Sequence, residues 1–197
     1  MWSAIKRRVQ AFLSEPKVEE PVLDYRALNE QRIARLRERG VRIGEGCLIY
    51  TEEFSTEPYL VELGNRVGVA GGVCFLTHDA SAMLMRATRP TVQHFGRIVV
   101  GNNTYIGQNS ILLPGTTVGA DCLIGAGAVV RGQVPDNSLV IGNPGKIIGR
   151  ASIVLERMQN SPDTFDSLQM AYDDRRLMLE KHFGIVRDSG EPSSEQP

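Results

Sequence analysis

Histidines are the first candidates for acid–base chemistry in this sequence, and the chain has three of them, His78, His94 and His182. A neutral imidazole can take a proton from a weakly nucleophilic hydroxyl group at physiological pH. His78 and His94 bracket a segment that interrupts an otherwise regular repeat. His78 is therefore either a structural polar residue or a general base, and the choice depends on the elements that position it.

Those elements come from a repeat of six residues. From Val100 onward every sixth residue is aliphatic, and the residues four places further on are none larger than valine. The aliphatic set is Val100, Ile106, Leu112, Val118, Ile124 and Val130, and the small set is Thr104, Ser110, Thr116, Cys122, Ala128 and Val134. A period of six fits neither an amphipathic helix nor one ordinary strand, and it predicts a β-solenoid.

The repeat describes a chain that turns a corner every six residues, so three sides close one triangular coil of 18 residues. Val118 is then predicted to lie on Val100, Ile124 on Ile106, and Val130 on Leu112. Neighbouring coils stack at about the spacing of hydrogen-bonded strands, ~4.8 Å. We expect the glycines that follow the aliphatic residues to supply corner dihedral angles that a Cβ atom would resist.

The run IGQNSILLPGTTVGADCLIGAGAVV, followed by VPDNSLVIGNPGKII, resembles the hexapeptide-repeat acyltransferases. The most similar branch is that of the maltose, galactoside and polysaccharide O-acetyltransferases, and the resemblance extends from about Leu63 to Ile148. It implies a mainly β fold, a left-handed parallel β-helix, with helical segments at both ends of this chain. The spacing alone predicts coils and not their hand.

The resemblance also implies an active site. In these enzymes a histidine at the place of His78, before an extruded loop, is the catalytic base, and acetyl-CoA is the donor. The positions that match the coenzyme A site are Gly107, Gln108, Gly125, Ala126, Arg131, Lys146 and Arg150. The galactoside enzymes have Thr-Lys where this chain has Arg131-Gly132, so the contact at Arg131 differs. Asp79 either orients His78 or caps the loop, and His94 either meets the acceptor or anchors the loop.

Three functions are compatible with this sequence. The first is acetyl transfer to a sugar hydroxyl in surface polysaccharide or glycoconjugate biosynthesis, by a homotrimer with its sites between subunits. The second is a non-catalytic hexapeptide scaffold. The third, a γ-type carbonic anhydrase, needs three zinc-binding histidines, two of them close together on one face. This sequence has no such pair, so we predict no metal site.

The periodic segments predict four parts, with the extruded loop inside the second. Residues 1–40 form a helical segment, including a helix from Asp24 to Arg39 that covers the open end of the solenoid. Residues 41–149 form the β-helix, which residues 79–96 leave as a long loop. Residues 150–184 form a second helical segment, with a helix starting at Ser161 and reaching about Phe183. Residues 185–197 are a disordered tail by composition.

Composition limits the partners. The formal net charge of −1 argues against a nucleic-acid partner. Three cysteines form no paired framework, and no secretory or membrane-spanning stretch is evident, so we expect a cytoplasmic protein. Residues 1–13 have an apolar and a basic helical face, and they contact either an anionic membrane surface or a neighbouring subunit.

Overall fold

The computed structural model describes residues 25–185. The amphipathic segment 1–13 lies outside the described residues, as does the predicted tail apart from Ile185. Between residues 25 and 185 no helix is long and apolar enough to cross a membrane. The chain divides into two compact units, the first ending at Ala151 and the second beginning at Ser152.

A helix covers the beginning of the solenoid. Helix α1 (Tyr25–Glu38) ends just before Gly40, whose φ of 96° closes the helix as predicted. Leu36 on this helix is fully buried in the solenoid core. The buried side chain of Asn29 donates to the carbonyl of Cys47 at 3.0 Å and accepts from the amide of Ile49 at 2.8 Å. The side-chain amide of Asn29 therefore makes the two hydrogen bonds that a neighbouring strand would make with this backbone.

All strands are numbered in chain order, and those of the solenoid form three sheets, to which the chain contributes strands in rotation. One sheet contains β1 (Arg42–Ile43), β3 (Val61–Leu63), β8 (Ile98–Val100), β11 (Thr117–Val118) and β14 (Gln133–Val134). The second contains β2 (Leu48–Ile49), β4 (Gly68–Val69), β9 (Tyr105–Ile106), β12 (Leu123–Ile124), β15 (Ser138–Ile141) and β16 (Lys146–Arg150). The third contains β5 (Cys74–Phe75), β10 (Ile111–Leu112) and β13 (Val129–Val130). All pairings among them are parallel except that of β15 with β16, so the predicted parallel solenoid is confirmed.

The register of the coils also agrees with the repeat. Val100 pairs with Val118, Ile106 with Ile124, and Leu112 with Val130, each 18 positions apart. All six predicted small residues are buried. One assignment was wrong: Val134 pairs with Val118, only 16 positions earlier, and so occupies an aliphatic position. The last coil is shorter because two residues, Arg131 and Gly132, connect β13 to β14 where each corner between β8 and β13 has four.

The glycines after the aliphatic residues have a different purpose from the predicted one. Gly101 and Gly107 do not have positive φ; instead, a Cβ atom on either would lie 2.6 Å from a backbone nitrogen of the next coil. The left-handed corner conformation falls two residues later, at Asn103 and Asn109, with φ of 56° and 58°. Asparagine tolerates this conformation, so these corners do not need glycine for their dihedral angles. Gly101 and Gly107 are needed instead because the coils stack too closely for a Cβ atom.

The predicted loop leaves the solenoid as a hairpin. Strands β6 (His78–Asp79) and β7 (His94–Phe95) pair antiparallel, with His78 opposite Phe95 and Asp79 opposite His94. A 3₁₀ helix, Ala80–Met85, follows β6. The hairpin emerges between β5 of the third sheet and β8 of the first, and therefore at the edge where these two sheets meet.

Helix α2 (Ala151–Gln159) begins at the last residue of the first unit, and its other residues belong to the second unit. Helix α3 (Tyr172–His182) lies in the second unit. The predicted start at Ser161 was wrong. Ser161 forms a local turn, in which its hydroxyl accepts from the amide of Asp163 at 3.2 Å, and residues 161–171 are not helical. Serine and aspartate side chains in this stretch compete for the backbone bonds that a helix requires. The sequence analysis did not predict α2.

Candidate active site

The base of the hairpin forms one wall of a polar pocket of about 390 Å³. The pocket brings together four predicted residues, His78, Asp79, His94 and Arg131. Its remaining lining residues are Leu76, Ala80, Leu113 and Pro114. The corners at Pro114 and Arg131 lie on successive coils beyond the hairpin, so the pocket runs along one edge of the solenoid.

His78 is held from one side by Glu57. Its Nδ1 atom lies 3.2 Å from Oε2 of Glu57 and 3.3 Å from the hydroxyl oxygen of Thr56. The hydroxyl of Thr77 donates to the same Glu57 oxygen at 3.0 Å. The Glu57 side chain is 15% exposed and that of His78 is 32% exposed. The carboxylate is thus mostly covered while the imidazole remains accessible.

These contacts select one tautomer of the imidazole. The Thr56 hydroxyl donates its hydrogen to Oε1 of Glu57 at 2.7 Å, so its oxygen faces His78 as an acceptor. Both partners of Nδ1 are then acceptors, which places the hydrogen of the neutral ring on Nδ1. The lone pair of Nε2 remains available to take a proton. This is the arrangement that a general base requires.

The hydrogen bond from Thr56 lowers the pKa of Glu57 below its ordinary value, and the contacts with Thr77 and His78 lower it further, against the opposing effect of burial. The side chain is therefore a carboxylate at neutral pH, and its charge would stabilise an imidazolium at His78. Sequence reasoning missed Glu57. The available signal was the irregular stretch before Pro58, where the coil from Ile49 to Val69 takes 20 residues.

Asp79 caps the loop. Its carboxylate accepts from the backbone amide of Ser81 at 2.9 Å, at the start of the 3₁₀ helix. Hydrogen bonding by Ser81 lowers the pKa of Asp79, and the nearby His94 and His78 contribute in the same direction. Of the two roles considered for Asp79, this geometry supports capping, because Glu57 occupies the orienting position on Nδ1.

Phe95 is a second neighbour of His78 that the sequence analysis missed. It pairs directly with His78 across the hairpin, and the centroids of the two rings are 6.0 Å apart at an angle of 54°. The Phe95 ring is also partly exposed. It therefore supplies an apolar surface beside the imidazole, where it can limit access of water.

The predicted coenzyme A residues fall on two different edges of the solenoid. Gly107, Gln108, Gly125 and Ala126 lie at corners between the second and third sheets. Arg131 lies at the edge between the third and first sheets, together with His78. Within one chain, the third sheet separates these two groups.

Lys146 and Arg150 lie at opposite ends of β16. Lys146 is opposite Ile141, next to the turn 142–145, which is bonded to β13 through the amide of Gly145 and the carbonyl of Val129 at 2.8 Å. Lys146 therefore lies along the same edge as Gly107 and Gly125. Arg150 is opposite Ser138, toward the edge between the first and second sheets.

The third histidine, His182, lies in the second unit. Its Nε2 atom is 2.7 Å from a carboxylate oxygen of Asp163. Its ring contacts the rings of Phe165 and Phe183 edge-on, with centroids 4.8 Å and 4.7 Å away. These contacts give His182 a structural role within that unit.

The described residues offer no candidate metal centre. Between residues 25 and 185 no group of three or more His, Cys, Asp or Glu side chains is arranged to hold a metal ion. His78 and His182 each contact a single carboxylate, that of Glu57 and that of Asp163 respectively.

Comparisons with known proteins give a family match and several relatives. Residues 97–132 match the family described as bacterial transferase hexapeptide (six repeats). The chain is 37% identical to Protein CapG of Staphylococcus aureus over 161 residues, which are 80% of this chain and 91% of CapG. It is 43% identical to the putative lipopolysaccharide biosynthesis O-acetyl transferase WbbJ of Escherichia coli K12 over 51 residues, which are 26% of this chain and 26% of WbbJ. Among solved structures, a maltose O-acetyltransferase from Clostridium difficile 630 is 22% identical with a TM-score of 0.45, covering 75% of this chain and 84% of that one.

The chain belongs to the bacterial hexapeptide-repeat transferase family, with the parallel β-helix of that family. Its enzyme class is acyltransferase.

Proposed function

We propose that this acyltransferase transfers an acetyl group from acetyl-CoA to a hydroxyl group of a sugar, with His78 as the general base. The observation that carries the proposal is the contact of His78 with Glu57 and Thr56, which leaves Nε2 free to accept a proton. The exposed side of the imidazole faces a polar pocket large enough for a sugar hydroxyl and the end of a thioester.

The proposed reaction is a direct transfer. As the sugar oxygen attacks the thioester carbon, its proton moves to Nε2 of His78, and the positive imidazolium is stabilised by the carboxylate of Glu57. The carbonyl oxygen gains negative charge and needs a hydrogen-bond donor, for which the family pattern favours the backbone N–H at Gln108. The carbon–sulfur bond then breaks, and the coenzyme A thiolate takes the proton from His78.

This chemistry requires residues from two edges of the solenoid. We therefore propose a homotrimer in which the edge with His78 and Arg131 faces the edge with Gly107, Gln108 and Lys146 of a neighbouring subunit. The separation of these two groups within one chain supports this assembly, because one subunit cannot bring both to the same thioester. Sedimentation of an active, stable monomer at micromolar concentration would contradict it.

The acceptor is proposed to be a sugar of a surface polysaccharide or glycoconjugate. The supporting observation is the similarity to WbbJ, whose name assigns it to lipopolysaccharide biosynthesis. A non-catalytic scaffold would have no need of the hydrogen-bonded Glu57–His78 pair beside an open pocket.

A thioester assay tests the proposal. The purified chain is incubated with acetyl-CoA and a panel of sugars, and release of the coenzyme A thiol is measured together with the mass of the acetylated product. We expect release that depends on both the sugar and His78. Absence of sugar-dependent release across the panel, with acetyl-CoA still bound, would favour the scaffold.

A further inference from the structure

The tip of the hairpin loop presents apolar side chains to solvent. Met83, Leu84 and Met85 are consecutive and exposed, and Leu84 keeps 84% of its surface accessible. Three adjacent large apolar residues at the end of an extended loop form an exposed apolar surface, which in proteins marks an interaction site.

This tip is an ordered surface. Ala82 and Val92 are buried beneath it, although they belong to the loop. The amide of Arg89 donates to the carbonyl of Met85 at 2.9 Å, and that of Val92 donates to the carbonyl of Arg89 at 3.0 Å. The loop therefore turns its smaller apolar residues inward and its three largest outward.

Beyond Asp79 at the base of the loop, the charged side chains are all positive. From Ala80 to Arg97 the sequence contains three arginines and no carboxylate, although the whole chain has a net charge of −1. Arg97 is ion-paired with Glu62. In the part of the chain that the structure describes, Arg86 and Arg89 form no ion pair, and both are exposed. An apolar tip flanked by these two arginines complements a surface that has anionic groups on the outside and an apolar layer beneath them.

We propose that this loop tip, Met83–Arg89, binds an anionic lipid surface, with the apolar side chains in the interface and Arg86 and Arg89 on lipid headgroups. The proposed homotrimer uses the edge at the base of this hairpin, so a second copy is the competing occupant of the tip. The three side chains of the tip alone are far fewer than the ~20–30 residues per partner of a standard protein interface, and they would not hold a second copy by themselves. The base of the same hairpin carries His78, so binding would hold the candidate active site near the membrane surface.

Vesicle sedimentation tests this proposal. The full chain is mixed with vesicles of phosphatidylcholine and phosphatidylglycerol at about 7:3 and with pure phosphatidylcholine vesicles, at low salt. We expect binding to the anionic vesicles that weakens by roughly 10- to 30-fold in Arg86→Gln/Arg89→Gln, since each basic residue near the surface contributes about 1 kcal/mol. The matched control, Arg157→Gln/Lys181→Gln, removes the same charge elsewhere and should bind as the unmodified chain does.

A second pair of variants tests the apolar contact. Leu84→Glu should lose about 10-fold or more in binding to anionic vesicles, whereas Leu168→Glu, which changes a leucine that is 89% exposed in the second unit, should not. The proposal is overturned if the loop variants bind like the unmodified chain, since residues 1–13 or another surface would then carry the contact. It is also overturned if Leu84→Glu changes the sedimentation state without changing vesicle binding, because the occupant would then be a second copy.

Discussion

The Nδ1 atom of His78 lies 3.2 Å from Oε2 of Glu57, a residue 21 positions earlier on the preceding coil of the solenoid. This pair joins a side chain on the hairpin to one in the irregular stretch before Pro58. Two departures from the six-residue repeat therefore meet at one place, and the contact positions the proposed base.

Removing the base should affect turnover more than binding. We expect His78→Ala to lower kcat by about 10²–10⁴-fold, while the oligomer and the affinity for acetyl-CoA remain unchanged. In the unmodified enzyme the rate should fall in acid, because only the neutral ring of His78 accepts a proton. His94→Ala is the comparison and should act mainly on the KM of the acceptor. Near-normal turnover of His78→Ala would remove the proposed mechanism.

Glu57 is expected to position His78 and to stabilise its charged form. Glu57→Ala should lower kcat by roughly 10- to 1,000-fold with little change in the KM of acetyl-CoA, because a poorly oriented imidazole takes the proton less efficiently. Glu57→Gln keeps an acceptor for Nδ1 but removes the charge, so part of the activity should return with an altered pH profile. A Glu57→Ala enzyme whose kcat and pH profile match those of the unmodified chain would show that the contact has no part in catalysis.

Lys146 is proposed to bind the phosphates of coenzyme A. Removal of one exposed charge should weaken donor binding by about 1 kcal/mol, so Lys146→Ala should raise the KM of acetyl-CoA several-fold. The difference from the unmodified enzyme should shrink at high salt, because exposed charges are screened. Arg150→Ala is the comparison at the other end of β16. If only Arg150→Ala raised the KM, the phosphate site would be assigned to that end of the strand.

Close stacking of the coils predicts a large difference in the free energy of unfolding between Gly101→Ala and Gly149→Ala. In Gly101→Ala the new Cβ would lie 2.6 Å from backbone atoms of Ala120 and Gly119, so the coils must separate locally. We expect a loss of about 1–3 kcal/mol in the free energy of unfolding, measured by denaturant titration. Gly149→Ala is the control, because a Cβ there meets nothing within 4 Å. Equal stability of the two variants would contradict the stacking explanation.

Three carboxylates predict a loss of stability in acid. Hydrogen bonds from Thr56, Arg97 and Arg35 respectively lower the pKa values of Glu57, Glu62 and Glu52 below the ordinary 4.5. Each folded pKa is below the unfolded one, so this contribution to stability is complete above about pH 4.5 and is lost as the pH falls through the folded values. Denaturant titrations between neutral and acidic pH should show this decline, and Glu62→Gln should make it shallower. A slope unaffected by the substitution would show that Glu62 does not contribute.

Much of the fold was predictable because the six-residue repeat is a direct consequence of the triangular coil, in which each side takes six residues. A six-residue period places Ile106 and Ile124 on the same inner face, and any sequence that keeps this spacing buries both. The place of His78 at the base of the loop was predictable for the same reason, since it stands where the repeat stops. The position of Val134 was not, because a two-residue shortening leaves the hydrophobic pattern almost unchanged.

Glu57 could not be predicted, because its contact depends on the path of an irregular segment. A carboxylate in a polar stretch resembles any solvated glutamate until the coil brings it against the residue 21 positions later. The start of α3 was also misplaced, since Ser161 and Pro162 carry the signals of a helix start but form only a local turn. In both cases the decisive interactions lie outside the periodic part of the chain.

The side-chain amide of Asn29 explains why the solenoid has a defined first coil. A parallel stack can in principle be extended by any further strand, as in amyloid, because its outermost strand leaves backbone groups unpaired. Asn29 occupies the amide of Ile49 and the carbonyl of Cys47, and α1 lies over that end. At the opposite end of the same sheet, β16 runs antiparallel and interrupts the parallel register. The chain thus protects itself against polymerising end to end.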